Sequence, residues 1–403
     1  MSEIYERLEE LRGSGLYRRM RMVSGPQGPR VLLDGKEVLL LCSNNYLGLA
    51  DHPRVRTAAA EAAMRYGVGA GASRLVSGNM TLHRRLEERI AAFKGAERCV
   101  LFGSGYLANM GVVQALAREG DVVFSDALNH ASIVDGCRLS RAETFVYRHL
   151  DVEHLEWGLR EAGGRGSLIV TDGVFSMDGD VAPLERIVEL AHRYDARMMV
   201  DEAHATGVLG PGGRGSVAAA GLQDEVDVIV GTLGKALGSY GAYVCCDTEM
   251  KRYLVNTART LIFSTGPAPP VVAGALAALE ILMEQPRRVE RLARNAQTLR
   301  VALAEQGLDV PAGETPIVPL VVGDAGTAME LCERLLRAGV FAQAIRPPTV
   351  PDGTSRLRLA AMASHNTAEL RRAAGALAVA FDKVGVGAAL EPEPRARVYD
   401  YAA

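Results

Sequence analysis

The chain has 403 residues, of which 48% are hydrophobic and 23% are charged, and its formal net charge is -3. This length and apolar content can bury one large core and a smaller one, so we expect a globular protein. Acidic and basic residues are interspersed, which favours neither nucleic acid nor an anionic membrane as a partner. The charged first segment and the shortness of the apolar runs predict no signal peptide and no transmembrane helix.

The cysteines show no CxxC pair and no regular spacing. They are Cys42, Cys99, Cys137, Cys245, Cys246 and Cys332. We therefore expect neither a disulfide framework nor a structural zinc site, and we predict no metal. A reducing cytoplasm is the expected location.

Short apolar runs alternate with helical patterns between residues 98 and 285. The runs that we interpret as strands are RCVLF, GDVVFSD, ETFVYR, GSLIVTD, ARMMVD, VDVIVG and GAYVCC. They are apolar on both faces, as strands of a parallel sheet covered by helices should be. Helical patterns cover residues 81–95, 183–195 and 268–285. This order predicts an α/β fold with a largely parallel sheet.

Composition and pattern divide the chain into four segments. We predict an N-terminal helix and arm over residues 1–50, a large α/β domain over 51–285, a small α+β domain over 286–383 and a flexible tail over 384–403. The small domain is predicted from a long charged helix followed by short strands. The tail is predicted because it is rich in Pro, Ala and charge.

Residues 231–243, GTLGKALGSYGAY, place Lys235 among glycines and small side chains directly after an apolar strand. Such a lysine is a phosphate ligand, a covalent anchor or part of a surface turn. Other motifs in the chain must decide between these possibilities.

One competing motif is DEAH, which in a helicase binds magnesium beside a nucleotide. It begins at Asp201 and ends at His204. A nucleotide hydrolase also needs a P-loop, but Ile229 stands where that motif has glycine and Ala236 where it has Ser or Thr. The sequence therefore does not favour an NTPase.

A second competing motif is GSGYLA, residues 103–108, which matches the dinucleotide fingerprint GxGxxA. An NAD-dependent dehydrogenase is the corresponding alternative, although it would leave Lys235 without a role. The N–H groups at the start of the following helix would hold any phosphate. We therefore predict a phosphate site at Ser104 and Gly105.

Pyridoxal phosphate (PLP) is the cofactor that gives each of these residues a role. Its aldehyde needs a lysine, its phosphate needs a cradle and its ring nitrogen needs a carboxylate. Asp201 ends a predicted strand and would raise the pKa of the ring nitrogen through a charge-assisted hydrogen bond. His204 could reach the ring hydroxyl, and His130 could stack on the ring.

Six separated motifs resemble the α-oxoamine synthase family of fold-type I PLP enzymes, over roughly residues 15–383. They are CSNNYLGLADHP, SDALNHASIVDG, GVFSMDGD, VDEAHATGVLG, GTLGKALGSYGAY and IFSTGPAPP. The resemblance implies catalytic roles for Lys235 as Schiff-base lysine and proton shuttle, Asp201 on the ring nitrogen, His204 at the ring hydroxyl and His130 stacked on the ring. It further implies cofactor contacts from Ser104, Gly105, Tyr106, Ser176 and Thr232.

The resemblance also implies an obligate homodimer with a shared site. Ser264 and Thr265 would then reach the phosphate from the other subunit. In the same motif, Gly266 stands where many relatives carry a further serine.

The C-terminal pattern AIRPPTVP followed by RLRL resembles family members that condense L-alanine with a pimeloyl thioester in biotin biosynthesis. By this resemblance Arg358 binds the amino-acid carboxylate with help from Asn44. Arg346 and Thr349 would lie near the acyl channel, and either Arg18 or Arg19 would meet substrate.

The implied reaction is a decarboxylative condensation, which makes the chain an acyltransferase. Whether the acyl carrier is CoA or acyl carrier protein stays open. Glycine with an acetyl group is the alternative substrate pair within the family. A protein that binds ligands without a cofactor, or the dehydrogenase, is the alternative outside it.

Overall fold

The computed structural model describes residues 2–385, which group into two compact units. The larger unit holds residues 49–176 and 180–289, and the other holds residues 2–48, 177–179 and 290–385. The segment predicted as an N-terminal arm thus shares its unit with the C-terminal residues. Apart from its first two residues, the predicted tail lies outside the described residues.

Several helices begin at a capping side chain or a proline that the sequence displays. They are α1 (Ser2–Gly13), α2 (Pro53–Tyr66), α3 (Thr81–Lys94), α4 (Gly105–Leu116), α5 (Ala131–Ser140), α6 (Val152–Glu161), α7 (Leu184–Arg193), α8 (Ser216–Ala220), α9 (Thr248–Thr257), α10 (Arg259–Ile262), α11 (Pro269–Glu284), α12 (Arg287–Glu305), α13 (Ala325–Arg337) and α14 (Thr367–Val384). Side-chain oxygens of Ser104, Asp151, Asp247 and Asp324 accept bonds from the first turns of α4, α6, α9 and α13.

The strands are short, and most are largely buried. They are β1 (Val23–Ser24), β2 (Arg30–Leu33), β3 (Lys36–Leu40), β4 (Arg98–Phe102), β5 (Val122–Asp126), β6 (Glu143–Tyr147), β7 (Ser167–Asp172), β8 (Arg197–Asp201), β9 (Val228–Thr232), β10 (Ala242–Cys246), β11 (Ile317–Gly323), β12 (Val340–Phe341), β13 (Gln343–Ile345) and β14 (Ser355–Ala360). A short 3₁₀ helix covers Pro211–Gly213.

The larger unit is built on a seven-stranded sheet in the order β4-β10-β9-β8-β7-β5-β6. Strand β10 is antiparallel to both of its neighbours, and the remaining pairs are parallel. These are the seven strands predicted from the apolar runs, so the α/β class with a largely parallel sheet is confirmed.

Helix α4 packs against this sheet through an apolar face. Val112 and Val113 are fully buried and belong to the same cluster as Val230 of β9 and Val244 of β10. Each such side chain contributes about 1.5–3 kcal/mol on burial, which anchors the start of α4 next to the ends of the strands. The C-terminal edge of the sheet is therefore a rigid support for side chains that follow the strands.

The other unit contains two small sheets, in the orders β1-β2-β3-β12 and β11-β14-β13. The sequence prediction missed β1 to β3. The β2–β3 turn has positive φ at Asp34 (48°) and Gly35 (81°), as a two-residue hairpin turn requires. The Asp-Gly pair between apolar runs was the available signal for this hairpin.

Among residues 2–385 no helix combines the length and apolarity required to cross a membrane.

Candidate active site

A cavity of about 190 Å³ opens at the C-terminal edge of the large sheet. The strands β5, β7, β8 and β9 end there, and α4 begins there. The cavity is lined by Gly105, Tyr106, Asn109, His130, Ser132, Asp172, Val174, Asp201, Ala203, His204, Thr232 and Lys235. The structure thus brings together seven of the residues that the sequence predicted for the cofactor: Gly105, Tyr106, His130, Asp201, His204, Thr232 and Lys235.

Lys235 lies in a tight turn that connects β9 to the reversed strand β10. Gly238 and Gly241 in this turn have φ of 58° and 112°, values that residues other than glycine rarely adopt. A Cβ atom at Gly238 would also lie 2.4 Å from the nitrogen of Ala50. The turn leaves Lys235 half-buried, with Nζ 2.7 Å from Nε2 of His204.

Asp201 ends β8 and is buried beside the cavity. Its Oδ2 accepts a hydrogen bond of 2.6 Å from Nδ2 of Asn109, and its Oδ1 accepts one of 2.8 Å from the backbone of Ala203. Asn109 also donates to Oγ of Ser132 at 2.9 Å. Because an ionised carboxylate can accept about four bonds, Asp201 can accept a further donor from a ligand.

His130 forms the N-cap of α5, two residues before Ser132. Its Nδ1 lies 2.7 Å from Oγ of Ser132, which fixes the ring beside the cavity. Burial lowers the pKa of His130, so the imidazole is neutral at neutral pH. Tyr106 meets the His130 ring edge-on, with 6.5 Å between the ring centres, and its hydroxyl contacts Asp135.

The predicted phosphate residues surround the start of α4 and the end of β9. Ser104 is the N-cap of α4, and its hydroxyl accepts from the backbone of Leu107 at 3.2 Å. A Cβ atom at Gly105 would meet no atom within 4 Å, so this backbone is open to a ligand. Thr232 lines the cavity, whereas Ser104 is not among the lining residues.

Besides Ser104, three further predicted cofactor residues do not line this cavity: Ser176, Ser264 and Thr265. Ser176 is buried at the end of a segment of the larger unit. Ser264 and Thr265 follow α10, where Thr265 forms a β-bridge with Ser73. Their expected role in another subunit stays a prediction.

The backbone of Gly266 packs closely against the backbone of residues 72 and 78, which leaves no room for a side chain. Its backbone N–H donates to Ala72 at 3.0 Å, and a Cβ atom there would lie 2.9 Å from the carbonyl oxygen of Gly78. A serine at this position would bring its Cβ against the backbone of Gly78, so the packing in this chain favours glycine.

The predicted substrate residues lie in the other unit, where Arg358 is buried on β14. Its guanidinium donates to Oδ1 of Asn44 at 3.1 Å and to the hydroxyl of Tyr46 at 3.2 Å. Burial raises the pKa of Tyr46, so the hydroxyl is neutral and accepts this bond. The two neighbours orient the guanidinium, and Tyr46 is a residue that the sequence argument missed.

Arg346 is also buried, and its guanidinium contacts the carbonyl oxygen of Gly15. Arg18 donates to the carbonyl oxygen of Pro347 at 3.1 Å, which brings it to the same turn. Thr349 is exposed and closes that turn by a backbone bond to Arg346 at 3.1 Å. Arg19 is exposed.

The structure argues against the NTPase and the dehydrogenase that the two competing motifs suggest. The chain after Lys235 leads to an antiparallel strand, whereas a P-loop leads into a helix. The GSGYLA segment does join a strand to a helix, but β4 lies at one edge of the sheet beside the antiparallel β10. A Rossmann fingerprint belongs at the switch point of a parallel sheet, so the dehydrogenase alternative loses its structural support.

Asn109 and Asp172 line the cavity but were missed by the sequence argument. The largely apolar helix GYLANMGVVQAL has two amides, Asn109 and Gln114, of which only Asn109 is buried. A polar residue on such an apolar helix was the available signal for it. Asp172 ends the predicted strand GSLIVTD, as Asp201 ends ARMMVD. The same rule that selected Asp201 could have selected Asp172.

Residues 36–377 match the family model of class I and II aminotransferases. The chain is 55% identical to the 8-amino-7-oxononanoate synthase of Citrifermentans bemidjiense over 96% of this chain and 100% of that protein. It is 54% identical to the synthase of Geobacter sulfurreducens, over 94% of this chain and 98% of that protein.

Solved structures give the same result for the fold. A serine palmitoyltransferase from S. paucimobilis, determined with a PLP adduct, has a TM-score of 0.91 at 33% identity and covers 95% of this chain and 98% of that one. The 8-amino-7-oxononanoate synthase from Francisella tularensis has a TM-score of 0.75 at 26% identity and covers 86% of this chain and 98% of that one.

Proposed function

Because the chain belongs to the α-oxoamine synthases within the class I and II aminotransferase family, we infer that it is a PLP-dependent acyltransferase. Its reaction condenses L-alanine with a pimeloyl thioester and releases 8-amino-7-oxononanoate, CO₂ and the free thiol, a step of biotin biosynthesis. The observation that supports this most strongly is the convergence of Lys235, Asp201, His204 and His130 on one cavity.

The cavity contains buried polar atoms that a bound ligand such as PLP would satisfy. Oδ2 of Asp172 and Oδ1 of Asn109 are buried without a hydrogen-bond partner in the described structure, and both residues line the cavity. A buried polar atom of this kind is costly unless a ligand or water satisfies it. When bound, PLP supplies an electron sink that stabilises negative charge at the α carbon of an amino acid.

We assign the covalent attachment of PLP and the removal of the α proton to Nζ of Lys235. The hydrogen bond between Nζ and Nε2 of His204 orients the amine when it is free. The carboxylate of Asp201 would accept a hydrogen bond from the protonated ring nitrogen, since Asn109 and Ala203 hold it on the protein side. The neutral ring of His130, which lines the cavity, would stack on the cofactor.

The phosphate is assigned to the start of α4 and the end of β9. Gly105 offers open backbone, Ser104 caps the helix, and the hydroxyl of Thr232 lines the cavity. The positive end of the helix dipole favours a dianion there. Tyr106 and Ser176 complete the proposed set of cofactor contacts.

We assign the amino-acid carboxylate to Arg358, because Asn44 and Tyr46 already orient its guanidinium for bidentate binding. Arg346 and Thr349 are assigned to the acyl group. Between the two N-terminal arginines we favour Arg18, since it contacts the turn that follows Arg346.

Two further assignments concern assembly and location. We propose that the protein is a homodimer in which Ser264 and Thr265 serve the partner's phosphate. We also propose a cytoplasmic location, because all six cysteines are unpaired thiols.

The activity is tested by following thiol release from the purified protein with L-alanine and pimeloyl-CoA, and with glycine and acetyl-CoA. We expect turnover with the first pair, with 8-amino-7-oxononanoate identified by mass spectrometry. Preference for glycine and acetyl-CoA would reassign the substrate and keep the family. Pimeloyl-acyl carrier protein in the same assay determines the carrier.

Lys235→Ala tests the covalent role, with the exposed Lys36→Ala as the matched lysine control. We expect no turnover from Lys235→Ala and no borohydride-fixed pyridoxyl group in its digest, whereas the control resembles the wild type. An unchanged rate in Lys235→Ala would contradict the assignment.

A further inference from the structure

Asp172 ends β7 at the same edge of the sheet where Asp201 ends β8. The two residues are paired in register across the parallel strands. Asp172 is 3% exposed and lines the cavity. A second buried acid therefore stands directly beside the one assigned to the ring nitrogen.

The protein satisfies only some of the polar atoms of Asp172 with hydrogen bonds. Its backbone N–H donates to Oδ1 of Asn129 at 2.9 Å, and the backbone N–H of His130 donates to its carboxyl group. Oδ2 is buried and has no partner in the described structure. A carboxyl oxygen left in this way at a cavity wall is available to a ligand.

The surroundings also determine which form of the carboxyl group is present. Burial raises the pKa of Asp172 well above its usual range, and the negative charge of Asp201 raises it further. The charge of Lys235 acts in the opposite direction but does not outweigh these two effects. The surroundings therefore favour the neutral carboxyl group at Asp172, and a neutral carboxyl group has an O–H to donate.

We propose that Asp172 is a further cofactor-contacting residue, which donates a hydrogen bond from its free carboxyl oxygen to an oxygen atom of bound PLP. This inference rests on the proposed function, since it needs PLP in the cavity. The neutral donor contributes to binding without competing with Asp201 for the charge of the ring nitrogen.

The test titrates PLP into the apoproteins of the wild type, Asp172→Asn and Asp172→Val. Asparagine keeps a neutral N–H donor of the same shape, so its dissociation constant should stay within about threefold of the wild type. Valine removes the donor and should weaken binding roughly tenfold, the usual effect of one hydrogen bond. Wild-type protein that takes up no PLP would refute the proposed function itself.

Two results overturn the inference while the function stands. One is tight binding by Asp172→Val, which would exclude the contact. The other is an asparagine variant as weak as the valine variant, which would mean that a charged carboxylate is needed. Asp121→Asn is the control: Asp121 is a half-buried acid directly before β5, at the other end of that strand from the cavity, and it is not among the charges that act on Asp172, so PLP binding should not change.

Infrared spectroscopy tests the same point should Asp172→Val fail to fold. The C=O stretch of a protonated carboxyl group should shift when PLP is added to the wild-type apoprotein. That shift should be missing from Asp172→Asn. A wild-type difference spectrum without a protonated carboxyl band would overturn the inference.

Discussion

Two protein donors hold the carboxylate of Asp201, one from the side chain of Asn109 and one from the backbone of Ala203. The orientation of the acid is thus fixed before any ligand arrives, because Asn109 is itself tied to Ser132. Preorganised charge of this kind acts on a reaction without a cost of reorientation.

Asp201→Ala should lower kcat roughly 100-fold or more, since it removes the partner of the ring nitrogen. Asn109→Ala should lower kcat less, because Asp201 keeps its bond to the Ala203 backbone. Steady-state rates of both variants with L-alanine and pimeloyl-CoA check this order. Full activity in Asp201→Ala would refute the pairing, and circular dichroism controls for folding.

The residues that could be predicted from sequence are those that end a strand or follow it within a few positions. Asp201 and Lys235 were found because apolar runs precede them and a parallel sheet gathers such ends at one edge. Asn109 and Tyr46 were missed because they act on another residue, Asp201 or Arg358, across a long separation in sequence. Their contacts exist only in the folded chain.

Helix α3 is joined to the turn after β8 by a buried ion pair. Lys94 ends the helix at 1% exposure, and its ammonium contacts the fully buried carboxylate of Glu202 and the carbonyl oxygen of Arg214. Glu202 also accepts bonds from Ser216 at 3.0 Å and from the backbone of Val217 at 2.7 Å. Glu202 follows Asp201 directly, so this cluster supports the turn that presents the acid.

Lys94→Met should destabilise the protein by about 3–5 kcal/mol, because it leaves the charge of Glu202 buried without a partner. The double variant Lys94→Met with Glu202→Gln should recover much of this loss, since no uncompensated charge remains. Midpoints of urea unfolding of the PLP-loaded proteins measure both effects. A double variant no more stable than Lys94→Met would argue against the charge as the cause.

His149, in the segment between β6 and α6, forms hydrogen bonds with two aspartates from other parts of the larger unit. Its Nδ1 lies 2.9 Å from Asp126 at the end of β5, and its Nε2 lies 2.9 Å from Asp180. Burial by itself would lower the pKa of His149, but hydrogen bonds and charge from the two aspartates outweigh it and raise the pKa to about 9. The folded chain therefore holds this imidazole as a cation at neutral pH.

The raised pKa predicts a loss of stability at alkaline pH. The contribution is complete below the unfolded pKa of about 6.5 and disappears as the pH rises through 9, a change on the order of 3 kcal/mol. Unfolding of the wild type and of His149→Gln can be measured between about pH 6 and about pH 10. The difference between their free energies of unfolding should shrink as the pH rises. A constant difference would contradict the cationic state.

Strands could be predicted from the sequence where the strand they pair with is close in the chain or where both of their faces are apolar. Six of the seven strands of the large sheet satisfy the second condition, whereas the edge strand β6 is largely exposed. Strand β3 had a local signal in the Asp34–Gly35 turn that joins it to β2. Its parallel pairing with β12 had none, since Leu39 lies opposite Val340 with about three hundred residues of chain between them. No local pattern encodes that pairing.

The surface of the larger unit carries apolar side chains that a monomer would leave in water. Phe263 is 71% exposed and Val76 is 79% exposed. The bridge between Ser73 and Thr265 brings their two segments together. Exposed apolar residues grouped in this way favour an interface, and a second copy of the chain is the partner that the shared-site proposal requires.

A homodimer with a shared site can be tested by mixing two inactive variants. Lys235→Ala lacks the anchor, and the double variant Ser264→Ala with Thr265→Ala should bind PLP weakly. If Ser264 and Thr265 act on the partner, a mixed dimer contains one site with an intact lysine and intact hydroxyls. Unfolding and refolding the two variants together should then restore activity that neither shows alone.

The result distinguishes sites completed by the partner subunit from sites formed within one subunit. If all these residues served their own subunit, every site of a mixed dimer would carry one defect and no activity would return. Light scattering should give twice the chain mass of 43.0 kDa for the wild type and a smaller value for Phe263→Glu. A wild type that scatters as a single chain would exclude a shared site, because Ser264 and Thr265 could then meet only the cofactor of their own chain.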